Sequence, residues 1–119
     1  MSDIPRWHFG NAGVDGAEHE GWLVGAFLDA ADVRMTTAVE IKWGAHVAGE
    51  RREAWFEEER RTTLLALVSG RFHIELPVGN AVLSEPGDYA VWGPGMGHAW
   101  RAEQDSIVVT VTWPADPAP

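Results

Sequence analysis

The longest regular hydrophobic pattern in the chain is an alternation along residues 33–46. Mostly apolar side chains occupy the odd positions, and mostly polar or small side chains occupy the even positions. A period of two is typical of a β-strand with one buried face, so the pattern predicts a half-buried strand over this whole range. In this register His46 lies on the polar face with Glu40 and Lys42, and we interpret it as a solvent-facing histidine.

Shorter apolar runs, separated by turn residues, predict the other strands. Residues 62–68 are continuously apolar after their threonines, which is typical of a strand covered on both faces. Residues 48–62 are charged and carry scattered aromatic side chains, and there we expect an irregular strand and loop with one turn of helix. Roughly nine short strands at such spacings favour an all-β sandwich or jelly roll. The remaining apolar runs and predicted strands are 22–28, 71–76, 81–83, 89–92, 98–102 and 106–113.

The chain has the length of one domain, and its two ends differ in composition from its middle. Residues 1–21 are glycine-rich and acidic, which predicts an irregular arm with room for one short edge strand. Residues 22–113 carry the regular patterns and form the predicted single domain. The proline-rich residues 114–119 cannot join a sheet, so we expect them to form a loose tail.

Charge and cysteine content exclude several kinds of partner and site. The formal net charge of −9 argues against nucleic acid or an anionic membrane surface as a partner. No apolar run reaches membrane-spanning length, and the first residues lack the apolar core of a signal peptide, so we expect a cytoplasmic protein. The absence of cysteine excludes disulfides, thiolate metal ligands and a thiol nucleophile.

Tryptophan is unusually frequent for so short a chain. A small barrel is not expected to bury all seven tryptophans, so we expect some of them at the interface of a homodimer. Others are candidates for the walls of a pocket that binds a small molecule, because an indole ring offers a large apolar surface and one hydrogen-bond donor.

The most distinctive segment is the glycine-rich loop within residues 87–98. Three glycines and a proline fall within five residues of it, which predicts a tight hairpin loop. The loop leads into a strand on which His98 and Trp100 share one face, because they are two residues apart. The segment resembles the second motif of the cupin superfamily, G-x5-P-x-G-x2-H. Gly87, Gly95 and His98 match this motif in register, and Gly93 stands where the family usually has proline.

The first cupin motif, G-x5-H-x-H-x3–4-E-x6-G, can be aligned upstream of this loop. Gly49 matches its opening glycine and Gly70 its closing glycine. This register puts Trp55 and Glu57 at the two histidine positions and Thr63 at the glutamate position. The resemblance therefore covers about half of the chain and keeps the framework glycines, while three of the four usual metal ligands are replaced.

The resemblance implies a cupin jelly-roll barrel whose site lies at the barrel mouth. In metal-binding cupins, three histidines and one glutamate hold one cation, and the corresponding set here is Trp55, Glu57, Thr63 and His98. Only Glu57 and His98 are plausible donors, so we expect no tightly held transition metal and at most a weakly bound divalent ion at this pair. His73 or His46 remains open as an additional donor.

Without a metal, the resemblance still places these residues around the barrel mouth. Glu57 and His98 would then be the candidate catalytic pair, with the carboxylate as acid or base and the imidazole titrating near neutral pH. The first hypothesis is a protein that binds a small organic metabolite. The alternatives are a metal-independent isomerase, epimerase or lyase, a metal-dependent cupin with an atypical ligand set, and a structural dimeric domain without a pocket. The candidate ligand-binding residues are Trp55, Thr63, His73 and Trp100.

Overall fold

The protein consists of two antiparallel β-sheets that pack face to face. The computed structural model describes residues 6–56 and 60–115, without the side chains of residues 53–56. A short helix, α1 (Ala12–Asp15), is followed by a 3₁₀ turn at Gly16–His19. The strands follow as β1 (Trp22–Val24), β2 (Glu40–His46), β3 (Arg51–Phe56), β4 (Thr62–Ser69), β5 (Phe72–Leu76), β6 (Gly79–Leu83), β7 (Tyr89–Trp92), β8 (His98–Ala102) and β9 (Ser106–Trp113).

The strand order places the longest strands inside one sheet. The five-stranded sheet has the order β1-β2-β9-β4-β7, and the four-stranded sheet has the order β3-β8-β5-β6. Strand β9 is hydrogen-bonded on both sides, to β2 and to β4. Strand β3 lies at an edge, and its pairing with β8 shifts register between Arg52 and Phe56. Consecutive strands cross repeatedly between the two sheets, as a jelly roll requires, so the predicted all-β jelly roll is confirmed.

The hydrophobic core lies between the sheets. Along β4, Thr63, Leu65 and Leu67 are buried, whereas the alternate side chains are partly or fully exposed. Within one copy of the chain, the prediction that residues 62–68 are covered on both faces is therefore wrong, because the second sheet packs against one face only. The core residues are Leu65, Leu67, Trp92 and Val108 from the five-stranded sheet, and Phe72, Ile74, Leu83 and Ala102 from the four-stranded sheet.

The strand predicted across residues 33–46 is shorter in the structure, where only Glu40–His46 form β2. Upstream of it the backbone turns, and the Gly25 N–H donates to the Arg34 carbonyl at 3.2 Å. The Asp32 carboxylate accepts hydrogen bonds from the backbone N–H and the guanidinium of Arg34, each at 2.8 Å. These local bonds hold a turn in place of an extended ladder, although the sequence alternation continues through it.

Two other regions also differ from the sequence-based expectation. Residues 51–56 form a strand with a shifted register, so the predicted irregular strand is confirmed. The predicted helical turn is not found in the described part of residues 48–62, of which residues 57–59 lie outside the description. In the arm, the side-chain oxygen of Asn11 accepts the N–H of Gly13 at 2.9 Å and caps α1. Asparagine is a preferred helix cap, so a local capping signal accounts for this helical turn.

Order continues past the last strand. Ala115 is buried, and its N–H donates to the Thr37 carbonyl at 3.1 Å. The first part of the predicted loose tail is therefore packed, and residues 116–119 lie outside the described residues. Within the ranges that the structure describes, no helix is long and apolar enough to cross a membrane.

Candidate functional site

A cavity of about 350 Å³ lies between the two sheets. This volume suits a small organic molecule. Apolar side chains of both sheets line it, including Leu65, Phe72, Ile74 and Val108. The interior of the barrel is thus not packed shut, contrary to the hypothesis of a domain without a pocket.

Strand β2 presents its polar face to this cavity. Glu40, Lys42 and His46 line the cavity, whereas Ile41 and Trp43 lie on the opposite face of the strand. The interpretation of His46 as a solvent-facing histidine is therefore wrong. The alternation separates the two faces correctly, but the polar face is the inner one because Glu40, Lys42 and His46 meet a cavity and not a closely packed core.

One end of the cavity is a polar row across three strands. Glu40 of β2 pairs in register with Thr112 of β9, which pairs with Thr63 of β4. The Oγ1 atoms of the two threonines are 3.4 Å apart. The guanidinium of Arg61 forms an ion pair with the Glu40 carboxylate, and their side chains are only 13% and 11% exposed. Two charges so far removed from water are retained because they neutralise each other.

His98 belongs to this same end of the cavity. Its ring centroid lies 4.7 Å from that of Trp92, and Trp92 pairs in register with Thr63. Trp100, two residues further along β8, also lines the cavity. The prediction that His98 and Trp100 share one face is confirmed.

The opposite end of the cavity is formed around His46. Its ring centroid lies 4.5 Å from that of Trp100 and 5.5 Å from that of Phe72. The rings of Phe72 and Trp100 stack with centroids 5.3 Å apart. Nδ1 of His46 lies 2.9 Å from Oε2 of Glu50, and this hydrogen bond lowers the pKa of the Glu50 carboxyl. Glu50 is therefore ionised at neutral pH and orients the imidazole.

His73 does not line the cavity, which corrects its predicted place among the ligand-binding side chains. Its neighbours Phe72 and Ile74 point into the cavity, so His73 lies on the outer face of β5. There its Nδ1 lies 3.3 Å from a guanidinium nitrogen of Arg101, and its Nε2 lies 3.4 Å from the Glu103 carboxylate. These contacts account for a buried histidine without any ligand.

The other predicted residues divide into two groups. Thr63, His98 and Trp100 line the cavity. Trp55 lies in β3 with its side chain outside the description, and Glu57 lies outside the described residues, so the pairing of Glu57 with His98 stays a prediction. The sequence-based candidates omitted Lys42. It occupies an even position of β2, as His46 does, and both side chains line the cavity.

The described residues do not assemble a metal centre. None of their His, Asp and Glu side chains form a group of three or more that could hold a metal ion. Of the positions that correspond to cupin metal ligands, the structure describes the side chains of Thr63 and His98, and the Thr63 hydroxyl faces that of Thr112. One imidazole and one hydroxyl are fewer donors than iron or zinc requires.

Comparisons with known proteins identify relatives by structure and not by sequence. No protein-family model and no curated protein sequence matches the chain. KdgF from Halomonas sp. has a similar fold with a TM-score of 0.62 and 27% sequence identity, over 68% of this chain and 73% of that chain. An RmlC-like cupin from Shewanella frigidimarina has a TM-score of 0.61 and 19% identity, over 67% and 69% of the two chains.

A sugar phosphate isomerase from the cupin superfamily, from Silicibacter pomeroyi, has a TM-score of 0.57 and 15% identity, over 64% of this chain and 50% of that chain. These proteins share the two-sheet jelly roll. In this chain the second cupin motif forms the loop and strand that deliver His98 to the cavity. The chain therefore has the fold of the cupin superfamily.

Proposed function

We propose that this cupin-fold protein binds a small organic anion in the cavity between its sheets. Lys42, the only lysine of the chain, carries the proposal. It lines the cavity, and its Nζ lies 5.3 Å from the centroid of the Trp22 ring. No carboxylate among the described residues forms an ion pair with it. A cavity-lining ammonium without a carboxylate partner in the described part of the chain favours a ligand that brings the negative charge.

The rest of the lining supports an organic ligand over an inorganic ion. Phe72 and Trp100 offer stacked ring faces, and Leu65 and Ile74 add aliphatic surface. Such walls stabilise a carbon skeleton by burying its apolar surface. Thr110, which pairs in register with Lys42, also lines the cavity and adds a hydroxyl to it.

The test compares organic acids with their uncharged amides in a thermal-shift experiment on the full chain. A compound at 100 times its Kd stabilises the folded protein by about 2.7 kcal/mol. Acids should raise the melting temperature of the wild type more than their amides do, and Lys42→Met should abolish the difference. Equal shifts for acids and amides, or an undiminished difference in Lys42→Met, would contradict anion binding.

We further propose that binding does not depend on a tightly held transition metal. Thr63 and His98 alone are an insufficient ligand set, and Glu57 could at most add a weak divalent site with His98. Elemental analysis of protein purified without a histidine tag should find less than stoichiometric iron, zinc, nickel or manganese. A stoichiometric metal that is lost in His98→Ala would overturn this and restore a metal-dependent activity.

A second candidate function is metal-independent proton transfer, as in an isomerase, epimerase or lyase. It is supported by His98, which lines the same cavity as Lys42 and packs against Trp92. In this case His98→Ala and Glu57→Gln should each abolish turnover. If the protein only binds its ligand, Trp100→Ala should weaken binding more than His98→Gln, because apolar contact would supply most of the affinity.

A further inference from the structure

The imidazole of His46 is held in one orientation by the turn that follows β2. The Glu50 N–H donates to the Val47 carbonyl at 3.1 Å, and Oε1 of Glu50 accepts the Val47 N–H at 3.3 Å. Gly49 has a φ of 92°, a conformation that glycine adopts at little cost. This turn folds the Glu50 carboxylate back onto Nδ1 of His46.

The hydrogen bond to Glu50 determines which nitrogen of His46 can accept a hydrogen bond. An ionised carboxylate only accepts hydrogen bonds, so Nδ1 must carry the hydrogen and the neutral ring keeps a lone pair on Nε2. No described residue forms a hydrogen bond with Nε2. The ring therefore presents an acceptor that none of the described residues uses.

Gly44 allows the imidazole ring to pack closely against the inner surface of β2. A Cβ at position 44 would lie 2.8 Å from Nε2 of His46 and 3.2 Å from Cγ2 of Val108. Nε2 therefore lies over the inner surface of β2, on the face that lines the cavity. Any side chain at this position would displace the imidazole or fill the adjoining part of the cavity.

Lys42 and His46 flank Gly44 on this same inner face. Their Cα atoms are four residues apart along the strand, about 13 Å, and the stacked rings of Phe72 and Trp100 adjoin His46. Resting on the anion binding proposed above, we propose that the ligand lies in the cavity between Lys42 and His46 and is a hydroxylated organic anion. Its negative group binds the Lys42 ammonium, its carbon skeleton packs against the rings, and a hydroxyl donates a hydrogen bond to Nε2 of His46.

The first test uses the ligand-free protein, so its result does not depend on whether any anion binds. Two-dimensional ¹H–¹⁵N NMR of the full chain, recorded at a pH high enough for the histidine rings to be neutral, should show His46 with its hydrogen on Nδ1 and an unprotonated Nε2. Glu50→Gln should replace this single form by a mixture of the two neutral forms, whereas Glu85→Gln, which removes an exposed carboxylate elsewhere, should leave it unchanged. A hydrogen on Nε2 in the wild type would overturn the proposal.

The second test uses two probes that differ by one hydroxyl, 6-hydroxyhexanoate and hexanoate. Both should shift the Lys42 resonances, but only the hydroxylated probe should shift Nε2 of His46, and it should bind about 2- to 10-fold more tightly. His46→Phe keeps an aromatic ring and removes the acceptor, so it should abolish this difference.

The outcomes of the second test separate the two proposals. If both probes shift the Lys42 resonances and leave the Nε2 resonance of His46 unchanged, the proposed anion binding stands and the proposed role of His46 is overturned. If neither probe shifts Lys42, the anion site itself is contradicted. If the preference for 6-hydroxyhexanoate persists in His46→Phe, a different group accepts the hydroxyl and the proposed pose is wrong.

Discussion

At the scale of single residues, Lys42 is the side chain whose charge we expect to govern affinity. Lys42→Met keeps a similar length and removes the ammonium, so it should weaken binding of an organic acid about 10- to 100-fold. Lys42→Arg retains the positive charge and should lose much less affinity for the acid. Isothermal titration with the acid that gives the largest thermal shift would measure both changes. Equal affinities for wild type and Lys42→Met would place the anion at another group.

We expect an added methyl group at Gly70 to cause a large loss in the free energy of unfolding. Its φ is 98°, and a Cβ there would press against the Asp105 carbonyl and the Ser106 hydroxyl and lie 2.7 Å from the Ser106 Cα. Gly87 has a matching φ of 95° with nothing within 4 Å of such a Cβ. Gly87→Ala should therefore cost only the backbone strain, about 1–3 kcal/mol, and Gly70→Ala should cost clearly more in the free energy of unfolding.

Urea unfolding of the two glycine variants measures this difference, provided that the m-values agree with that of the wild type. Because both positions require the same left-handed backbone, the excess loss in Gly70→Ala reports the steric clash alone. Equal losses would show that the turn between β4 and β5 can shift away from Ser106.

At the scale of elements, the turn before β2 depends on an ion pair whose strength changes with pH. The Arg34 guanidinium lowers the pKa of Asp32 from 3.8 to about 2. Since the folded pKa lies below the unfolded one, the pair stabilises the fold above about pH 4, and this contribution is lost as the pH falls toward 2. Asp32→Asn should therefore lower the free energy of unfolding near pH 6 by at most about 1 kcal/mol, because the pair is partly exposed.

Urea unfolding at several pH values between 6 and 3 tests this ion pair. The gap between wild type and Asp32→Asn should narrow as the pH falls. Asp29→Asn removes an exposed carboxyl of the same turn that pairs with no described cation, so its effect should not vary with pH in this way. A gap that stays constant down to pH 3 would mean that the Asp32 carboxylate contributes through packing and not through its charge.

The elements that the sequence predicts best are those with turn residues at both ends. Strands β7, β8 and β9 have their predicted bounds, because glycine, proline and charged residues interrupt the apolar runs around them. The start of β2 is not predictable in this way. Residues upstream of Glu40 keep the alternation of a strand, but the Asp32–Arg34 turn determines their backbone.

Sequence spacing predicts which site residues share one face of a strand. It does not predict which of the two faces points into the cavity. His98 and Trp100 are two residues apart, so any strand brings them to one face. For His46 and Lys42, a polar face that lines a cavity has the same sequence pattern as one that meets water. The alternation of His73 with Phe72 separates them onto opposite faces, but only the structure shows that Phe72, and not the predicted ligand-binding His73, is the inner one.

At the scale of the whole molecule, the outer surface of the five-stranded sheet is the expected dimer interface. Two rows of apolar residues cross four strands there in register. We call this the outer apolar face: Ile41, Val111, Leu64 and Val91 in one row, and Trp43, Val109, Ala66 and Tyr89 in the other. It contains no charge, so a second copy can pack against it in a two-fold arrangement without burying an unpaired ion, in a protein whose net charge of −9 opposes association elsewhere.

Sedimentation velocity at micromolar concentration should find a homodimer. Val109→Lys places a charge at the centre of the outer apolar face and should shift the protein to monomer, because burying an unpaired ammonium costs several kcal/mol. Val78→Lys places the same charge at a position that is 80% exposed and should leave the dimer intact. A monomeric wild type would contradict the predicted homodimer but would leave the proposed binding in the cavity unchanged.

The edge position of β3 has a consequence for how molecules reach the cavity. The wall built by β9 is hydrogen-bonded on both sides, so its amides should exchange with solvent only when the whole domain unfolds. Strand β3 brings Arg52 to the cavity but, among the described strands, pairs only with β8 and through a shifted register. Separating it breaks one ladder, so its amides should exchange far sooner, and entry and exit should follow this faster local opening. Strand β9 thus forms a stable wall of the cavity, and β3 forms the wall that we expect to open locally for the ligand.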